Sequence, residues 1–387
     1  MRAIGLWERM LKSRVTYETL FWLPGINPYW ASRLSWLQSQ QADTFAVLFN
    51  RRVDPMRAWI VNDDDLRFRH SFLTSRSQRL MQLFRLLWRP KSGQIVTFHF
   101  DPWLVVLLLA RLRGVQVYFY VERTWDTWIR RRVWSEVSKH LIFRSASGFL
   151  VPGRDAADWI RQYAPRADCH LLPHAVDVGR LRAAGAERSS ENGIVRFLYL
   201  GRFIQEKGLD ELMSCFETIG HRRDWTLTLV GEGDMYERLV RFAQNFPVGT
   251  VRVRGFVQAE QLPSLLSCYD VLLFPTRGDP YGLVINEAMA SGMVVASSDH
   301  AGEVTKRLGI GYGQERGYIF KAFDVDDFRK VVLSIVDSWP HARRLGTYAQ
   351  EFAEKELSLT MWTDCVRHLQ SLLLCKPKGD SCACLED

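Results

Sequence analysis

The sequence predicts an α/β protein with two doubly wound parallel-sheet domains that face each other across a cleft. Three observations lead to this prediction. The chain has 387 residues, which is too long for one ordinary core. Short apolar runs alternate with stretches of helical length in two separate blocks, as is typical of parallel sheets covered on both faces. A polar stretch, "VGRLRAAGAERSSENG", separates the two blocks.

The apolar runs give the strands in chain order. The first block contains "TLFWLP" (19–24), "TFAVLFN" (44–50), "QIVTFHF" (94–100), "VQVYFYVE" (115–122), "GFLVPG" (148–153) and "CHLLP" (169–173). The second contains "VRFLYLG" (195–201), "WTLTLVG" (225–231), "VRVRGF" (251–256), "DVLLFP" (270–275) and "VVASS" (294–298). We therefore predict a first domain over 1–178, a linker over 179–194 and a second domain over 195–357.

A helix and a tail follow the second domain. "LSLTMWTDCVRHLQSLLL" has helical periodicity, so we predict a helix over 358–374 that packs back on the first domain. The polar residues 375–387 are predicted to be disordered.

Composition predicts a cytoplasmic protein. The longest apolar run, "WLVVLLLA", is far shorter than the roughly 20 residues that span a bilayer. The N-terminal residues show no secretory signal, and the seven scattered cysteines favour reduced thiols.

The positive charge lies in the first half of the chain. Its first 177 residues hold 26 Lys and Arg against 15 Asp and Glu, and 11 of the 14 tryptophans. Such a surface suits nucleic acid or an anionic membrane. The basic residues are spread over the whole half, which argues against nucleic acid. Two interpretations of "RTWDTWIRRRVW" (123–134) remain: a helix that docks peripherally on the inner membrane face, or a solvated helix with its tryptophans packed inward.

Candidate binding residues follow the strands of the second block. Ligands of doubly wound sheets bind beyond the carboxyl ends of the strands. "LGRFIQEKG" places Arg202 and Lys207 there, two cations that suit a diphosphate, although such cations in a loop are more often merely solvated. Gly231 and Phe256 follow two further strands and are candidates for the same site.

The stretch "RGDPYGLVINEAMASG" supplies two carboxylates and a predicted helix start. Gly282, Leu283 and Val284 begin the helix, with N–H groups free to bind an anion. Glu287, one turn further, can accept hydrogen bonds from both hydroxyls of a ribose, while Asp279 faces the other end of the same ligand. The alternative, acidic residues that complement the helix dipole, explains Asp279 but not Glu287.

These stretches together resemble the donor-binding domain of the retaining GT-B glycosyltransferases of family 4, over about residues 195–340. The motifs occur in the order of that family: "GRFIQEKG", "LVGEGDMYERL", "VRGFVQAEQLPSLLSCYDVLLFP", "GDPYGLVINEAMASGMVVASSD" and "AGEV". The resemblance implies a GT-B fold of two Rossmann-like domains. It also implies that Arg202 and Lys207 bind the donor diphosphate and that Glu287 binds the ribose. Asp279 stands where the family has a carboxylate, usually Glu, at the donor sugar.

The same resemblance gives the first domain the acceptor site. Gly25 and Asn27, in "LPGINPYW", are candidates for acceptor binding. His99 and Glu122 are candidates for catalysis, because relatives often carry His near these two strand ends. A lone His is more often structural. Glu122 alters either sugar recognition or acceptor activation, or else it pairs with Arg123 at the surface.

We therefore expect a glycosyltransferase that moves a sugar from a nucleotide-sugar donor to a saccharide or lipid-linked saccharide, with retention of anomeric configuration. Its expected role is cell-surface polysaccharide or glycolipid assembly. No metal and no cofactor besides the co-substrate is expected, because no Asp-x-Asp ends a predicted strand. Two alternatives stay open: a GT-B-like binding or scaffold protein without turnover, and a sugar-nucleotide epimerase.

Overall fold

The structure is a computed structural model that describes residues 17–41, 44–52, 59–73, 75, 92–98, 109–122, 140, 143–144, 146–186, 188, 193–220 and 224–372. His99, the basic segment 123–134 and the predicted tail 375–387 lie outside the described residues. The chain forms two units. The first comprises described residues up to Pro173 and from Trp362 onwards, and the second comprises His174–Met361.

The first unit contains one parallel sheet. Its strands are β1 (Tyr17–Leu23), β2 (Phe45–Phe49), β3 (His70–Phe72), β4 (Ser92–Thr97), β5 (Gln116–Tyr120), β6 (Gly148–Val151) and β7 (Cys169–Leu171). The strand order is β3-β2-β1-β4-β5-β6-β7, and every neighbouring pair is parallel. The order reverses direction between β1 and β4, which is the topological switch point of a doubly wound sheet.

Two helices accompany this sheet in the described ranges with defined bounds, α1 (Pro28–Gln40) and α2 (Arg154–Arg161). Asn27 begins α1: its side-chain oxygen accepts a hydrogen bond from the N–H of Trp30 at 3.0 Å, and proline occupies the first helical position. Both features favour a helix start.

The second unit repeats the architecture. Its strands are β8 (Val195–Leu200), β9 (Trp225–Val230), β10 (Val251–Arg254), β11 (Val271–Phe274), β12 (Val294–Ser298) and β13 (Tyr318–Phe320). The order is β10-β9-β8-β11-β12-β13, again all parallel, with the switch point between β8 and β11. The predicted fold class, α/β with two Rossmann-like parallel-sheet domains, is confirmed.

Helices cover both faces of the second sheet. They are α3 (Val178–Ala186), α4 (Leu209–Ile219), α5 (Tyr236–Gln244), α6 (Leu262–Ser267), α7 (Leu283–Ala290), α8 (Val304–Arg307), α9 (Val325–Asp337) and α10 (Trp339–Glu356). Val271 and Leu273 of β11 join one apolar cluster, whereas Leu272 and Phe274 join another. Because successive strand residues point to opposite faces, the sheet is buried on both sides.

Two features adjoin the predicted domain boundaries. Helix α3 (Val178–Ala186) covers the first half of the stretch 179–194, which was predicted as a linker. The last helix, α11 (Leu359–Ser371), carries the fully buried Trp362, whose ring centroid lies 6.3 Å from that of Phe21 and 6.1 Å from that of Trp30. Helix α11 thus packs on β1 and α1 of the first unit. No helix in the described ranges is both long and apolar enough to cross a bilayer.

Candidate functional site

The candidate site lies at the switch point of the second sheet. Strand β8 pairs with β9 on one side and with β11 on the other. The loops that leave β8 and β11 therefore emerge side by side at the carboxyl edge of the sheet, where doubly wound folds bind ligands. The first loop carries Arg202 and Lys207, and the second carries Asp279.

Lys207 and Asp279 are in direct contact. A short 3-10 turn, Gln205–Lys207, brings the Lys207 Nζ to 2.5 Å from the Asp279 Oδ2. The side chain of Lys207 is 12% exposed and that of Asp279 is 20% exposed, so this ion pair is largely shielded from water. The ring centroid of Phe274, the last residue of β11, lies 5.9 Å from the same ammonium.

The other carboxylate oxygen of Asp279 holds the start of α7. The Asp279 Oδ1 accepts hydrogen bonds from the N–H of Tyr281 at 2.9 Å and of Gly282 at 2.6 Å. Burial alone would raise the pKa of the Asp279 carboxyl. The Lys207 ammonium and the two N–H groups outweigh burial, so this pKa lies below its ordinary value. Asp279 is therefore a carboxylate at neutral pH.

Gly282 makes this arrangement possible. Its φ of +71° is in the left-handed region, and a Cβ there would lie 2.8 Å from a ring carbon of Phe274. The sequence predicts the Gly282 N–H as a donor to a bound anion, but this group donates to Asp279 instead. The left-handed turn brings the N–H back toward the loop that precedes the helix.

Helix α7 brings the remaining predicted residues of this stretch to the same place. Leu283 and Val284 form its first turn and are half-buried, and first-turn N–H groups have no partner within their own helix. Glu287 is 5% exposed and lies one turn into the helix. A carboxylate that has lost most of its hydration requires polar or cationic partners, so its position is not that of a solvated surface acid.

Arg307 holds the loop that leads from Asp279 into α7. It was not among the predicted site residues. It is 3% exposed and donates hydrogen bonds to the carbonyl oxygens of Gly302 (2.8 Å), Gly282 (3.3 Å) and Tyr281, and to the Asn286 Oδ1 (2.8 Å). Its guanidinium carbon lies 4.1 Å from the centroid of the Tyr281 ring. No sequence pattern marks this arginine, because its role depends on contacts with distant residues.

The other predicted donor residues lie along the same sheet edge. Arg202 is exposed, and its carbonyl oxygen accepts a hydrogen bond from the hydroxyl of the buried Tyr199 at 2.8 Å. Burial raises the pKa of the Tyr199 hydroxyl above its ordinary value, and the Asp279 carboxylate acts in the same direction. Gly231 follows β9 and donates its N–H to the carbonyl oxygen of Arg254 at 3.1 Å. Phe256 is half-buried in the loop after β10.

The predicted acceptor residues belong to the first unit. Gly25 and Asn27 form the turn between β1 and α1, beside the switch point of the first sheet. The side-chain oxygen of Asn27 caps α1 and is thus occupied. Glu122 is half-buried and follows β5 by two residues. His99 lies outside the described residues.

The arrangement in the second unit is suited to an anionic ligand. The Lys207 ammonium and the first turn of α7 lie at one sheet edge, where the loop after β8 also carries the exposed Arg202, and each of these groups attracts negative charge. Among the described residues, no group of three or more His, Cys, Asp and Glu side chains is arranged to hold a metal ion.

Two Rossmann-like parallel-sheet units in one chain have the architecture of the GT-B fold. The family model for "Glycosyl transferases group 1" matches residues 186–352, which lie in the second unit. The likeness to this family is therefore a property of the second unit, and the match covers a little under half of the chain.

The chain is also similar to individual relatives and to solved structures. Sulfoquinovosyl transferase SQD2 of Arabidopsis thaliana is 24% identical over 61% of this chain and 46% of its own length. Mannosylfructose-phosphate synthase of Agrobacterium fabrum is 28% identical over 54% of this chain and 48% of its own length. The chain therefore spans just under half the length of these relatives. Anabaena Alr3699/HepE, crystallised with UDP, has a TM-score of 0.72 at 14% identity, covering 92% of this chain and 100% of that one. At this identity the likeness shows the fold.

Proposed function

We propose that this chain transfers a sugar from a nucleotide-sugar donor to an acceptor hydroxyl with retention of anomeric configuration. The observation that carries the proposal is the contact between Lys207 and Asp279 at the switch point, beside the first turn of α7. The family match and the named activities of the relatives support the same reaction class.

In this proposal the second unit binds the donor. Lys207 and Arg202 neutralise the diphosphate as its bond to the sugar breaks, and the N–H groups of Leu283 and Val284 bind its oxygens. Glu287 accepts hydrogen bonds from the ribose hydroxyls, and Gly231 and Phe256 flank the nucleotide. Asp279 contacts the donor sugar while it holds Lys207. The charge is neutralised by side chains and N–H groups, so the proposal requires no metal ion.

The first unit is proposed to bind the acceptor through Gly25 and Asn27, with His99 and Glu122 as the catalytic candidates of that unit. The acceptor oxygen attacks the anomeric carbon on the face from which the diphosphate leaves. Its proton passes to an oxygen of the departing phosphate. Same-face attack of this kind retains the anomeric configuration without a covalent glycosyl-enzyme intermediate.

Screening UDP-, GDP- and ADP-sugars tests the proposal. A ligand at 100 times its dissociation constant adds about 2.7 kcal/mol to stability, which is readily seen as a rise in melting temperature. The donor that stabilises the chain is then incubated without acceptor, and slow release of nucleoside diphosphate is expected. Stabilisation without any release would favour a binding or scaffold protein. Conversion of the donor to its epimer, with the nucleotide still attached, would favour an epimerase.

We further propose a lipid-linked saccharide acceptor at the cytoplasmic face of the inner membrane, in polysaccharide or glycolipid assembly. The basic, tryptophan-rich composition of the first 177 residues supports docking on anionic lipid, each cation near the surface contributing about 1 kcal/mol. Co-sedimentation with vesicles containing anionic lipid is expected to fall with salt and with Arg130, Arg131 and Arg132 all changed to Glu. A chain that stays in the supernatant at low salt would favour a water-soluble acceptor.

A further inference from the structure

Arg277 joins the two loops that carry Lys207 and Asp279. It lies two residues before Asp279, and its N–H donates to the carbonyl oxygen of Glu206 at 2.9 Å. The hydroxyl of Thr276 donates to the same carbonyl at 3.3 Å. The residue just before Lys207 is thus hydrogen-bonded to the loop that carries Asp279.

The side chain of Arg277 contacts the chain on the other side of Lys207, at the start of α4. Its Nε lies 2.9 Å from the Glu211 Oε1 and its Nη2 lies 3.2 Å from the Asp210 Oδ2. These two acids form the first turn of α4, which begins two residues after Lys207. The ring centroid of Phe323 lies 5.5 Å from the guanidinium. A planar guanidinium that bridges two carboxylates restrains their relative positions more strongly than a single ammonium does.

The backbone leaves little room between these loops. A Cβ at Gly208, the residue between Lys207 and α4, would lie 1.7 Å from the carbonyl oxygen of Pro275 in the loop after β11. The loops therefore touch directly at this point, and the Arg277 contacts hold them together on either side of Lys207.

We propose that Arg277 is a positioning residue for the donor site: its backbone N–H holds Glu206 on one side of Lys207, and its side chain fixes Asp210 and Glu211 on the other. The side-chain contact sets the distance from the ammonium to Asp279 and to the donor diphosphate. The inference rests on the proposed function.

Arg238 provides a matched control. Its Nη1 lies 2.5 Å from the Asp210 Oδ1, so it neutralises one of the same acids, but it belongs to α5 and is 57% exposed. Arg238→Ala removes a nearby positive charge but leaves the side-chain contacts of Arg277 with the start of α4 in place. A purely electrostatic role of Arg277 predicts an effect of the same sign for both variants and a loss from Arg277→Ala that persists without Lys207, whereas positioning predicts an effect of Arg277→Ala alone that vanishes without Lys207.

The test is a double-mutant cycle read as affinity for whichever of UDP, GDP and ADP binds the wild type most tightly, measured by calorimetry. Arg277→Ala is expected to weaken affinity by about 10-fold or more in the wild-type background and by less than about 2-fold in the Lys207→Ala background, because an effect that acts through Lys207 vanishes with it. Arg238→Ala is expected to stay within about 2-fold. If circular dichroism shows that Arg277→Ala is unfolded, Arg277→Lys replaces it in the cycle. Arg277→Lys keeps the positive charge but lacks the planar guanidinium.

An equal loss in both backgrounds, or an equal loss from Arg277→Ala and Arg238→Ala, would overturn the positioning role while leaving the proposed function intact. A wild-type chain that binds none of the three nucleotides would overturn both.

Discussion

The Lys207 ammonium and the Asp279 carboxylate meet at 2.5 Å although 72 residues separate them in the chain. Their strands, β8 and β11, are neighbours because the strand order reverses between them. An ion pair at this place gives the second unit a cation that is held in position before any ligand arrives. Preorganised charge of this kind stabilises the charge that develops on a leaving group.

Loss of either cation is expected to reduce turnover. Lys207→Ala and Arg202→Ala should each lower kcat by about 100- to 1,000-fold, the scale of a lost preorganised contact to developing charge. Steady-state kinetics with the stabilising donor measures the effect, and Lys330→Ala, at an exposed position on α9, is the control. Activity within threefold of wild type for both variants would rule out the diphosphate assignment.

The two carboxylates are expected to act on different ends of the donor. Asp279→Asn should lower turnover more than it weakens nucleotide binding, because Asp279 is assigned to the sugar. Glu287→Ala should weaken binding of the bare nucleoside diphosphate by about 10- to 100-fold, through lost hydrogen bonds from the ribose to a charged group. Calorimetric titration of both variants separates these effects. The reverse pattern would mean that the two ends of the ligand are exchanged.

The depressed pKa of Asp279 predicts a pH dependence of stability. The carboxyl titrates near its ordinary value of 3.8 in the unfolded chain and lower in the folded chain, so between these values the unfolded chain binds more protons. The stabilisation is present above the unfolded value and is lost as pH falls through the folded value. We therefore compare the free energies of unfolding of wild type and Asp279→Asn. Their difference should stay constant from pH 7 to about 4 and decrease at lower pH. A difference that grows toward acid pH would contradict the ionised assignment.

Removal of Arg307 is expected to destabilise the second unit. Arg307→Ala leaves the buried acceptors of Tyr281, Gly282, Gly302 and Asn286 without this donor, and each unsatisfied group costs about 1–3 kcal/mol. We expect a loss of about 3 kcal/mol or more in chemical denaturation. Arg329→Ala, which breaks an exposed i,i+3 pair with Asp326, should cost less than about 1 kcal/mol. Similar losses for the two variants would show that the Arg307 contacts contribute little.

Much of the second unit was predictable because each part has a local signal. The apolar run "DVLLFP" predicts β11, and the glycine and the apolar residues after it predict the start of α7. The edge strands β3 and β13 were not predicted: the polar His70 and Ser71 make up most of β3, and the apolar run of β13, "YIF", is shorter than the run "CHLLP" that predicts β7. The loops after β8 and β11 were expected at the same sheet edge, since parallel strands present their carboxyl ends together.

The details of the site depend on long-range geometry. The sequence places Asp279 before a helix but does not reveal that one oxygen binds the helix start while the other binds Lys207. It likewise gives no sign that the Gly282 N–H is occupied, or that Arg277 and Arg307 hold the loop. These contacts depend on the order of strands in the sheet, which no local pattern encodes.

One comparison tests the central claim, that Lys207 at this switch point binds the donor diphosphate. Calorimetry would measure the affinities of the nucleoside diphosphate and the matching nucleoside monophosphate for wild type and for Lys207→Ala. We predict that wild type binds the diphosphate at least about 10-fold more tightly than the monophosphate, and that Lys207→Ala abolishes most of this ratio. An unchanged ratio in Lys207→Ala would contradict the account.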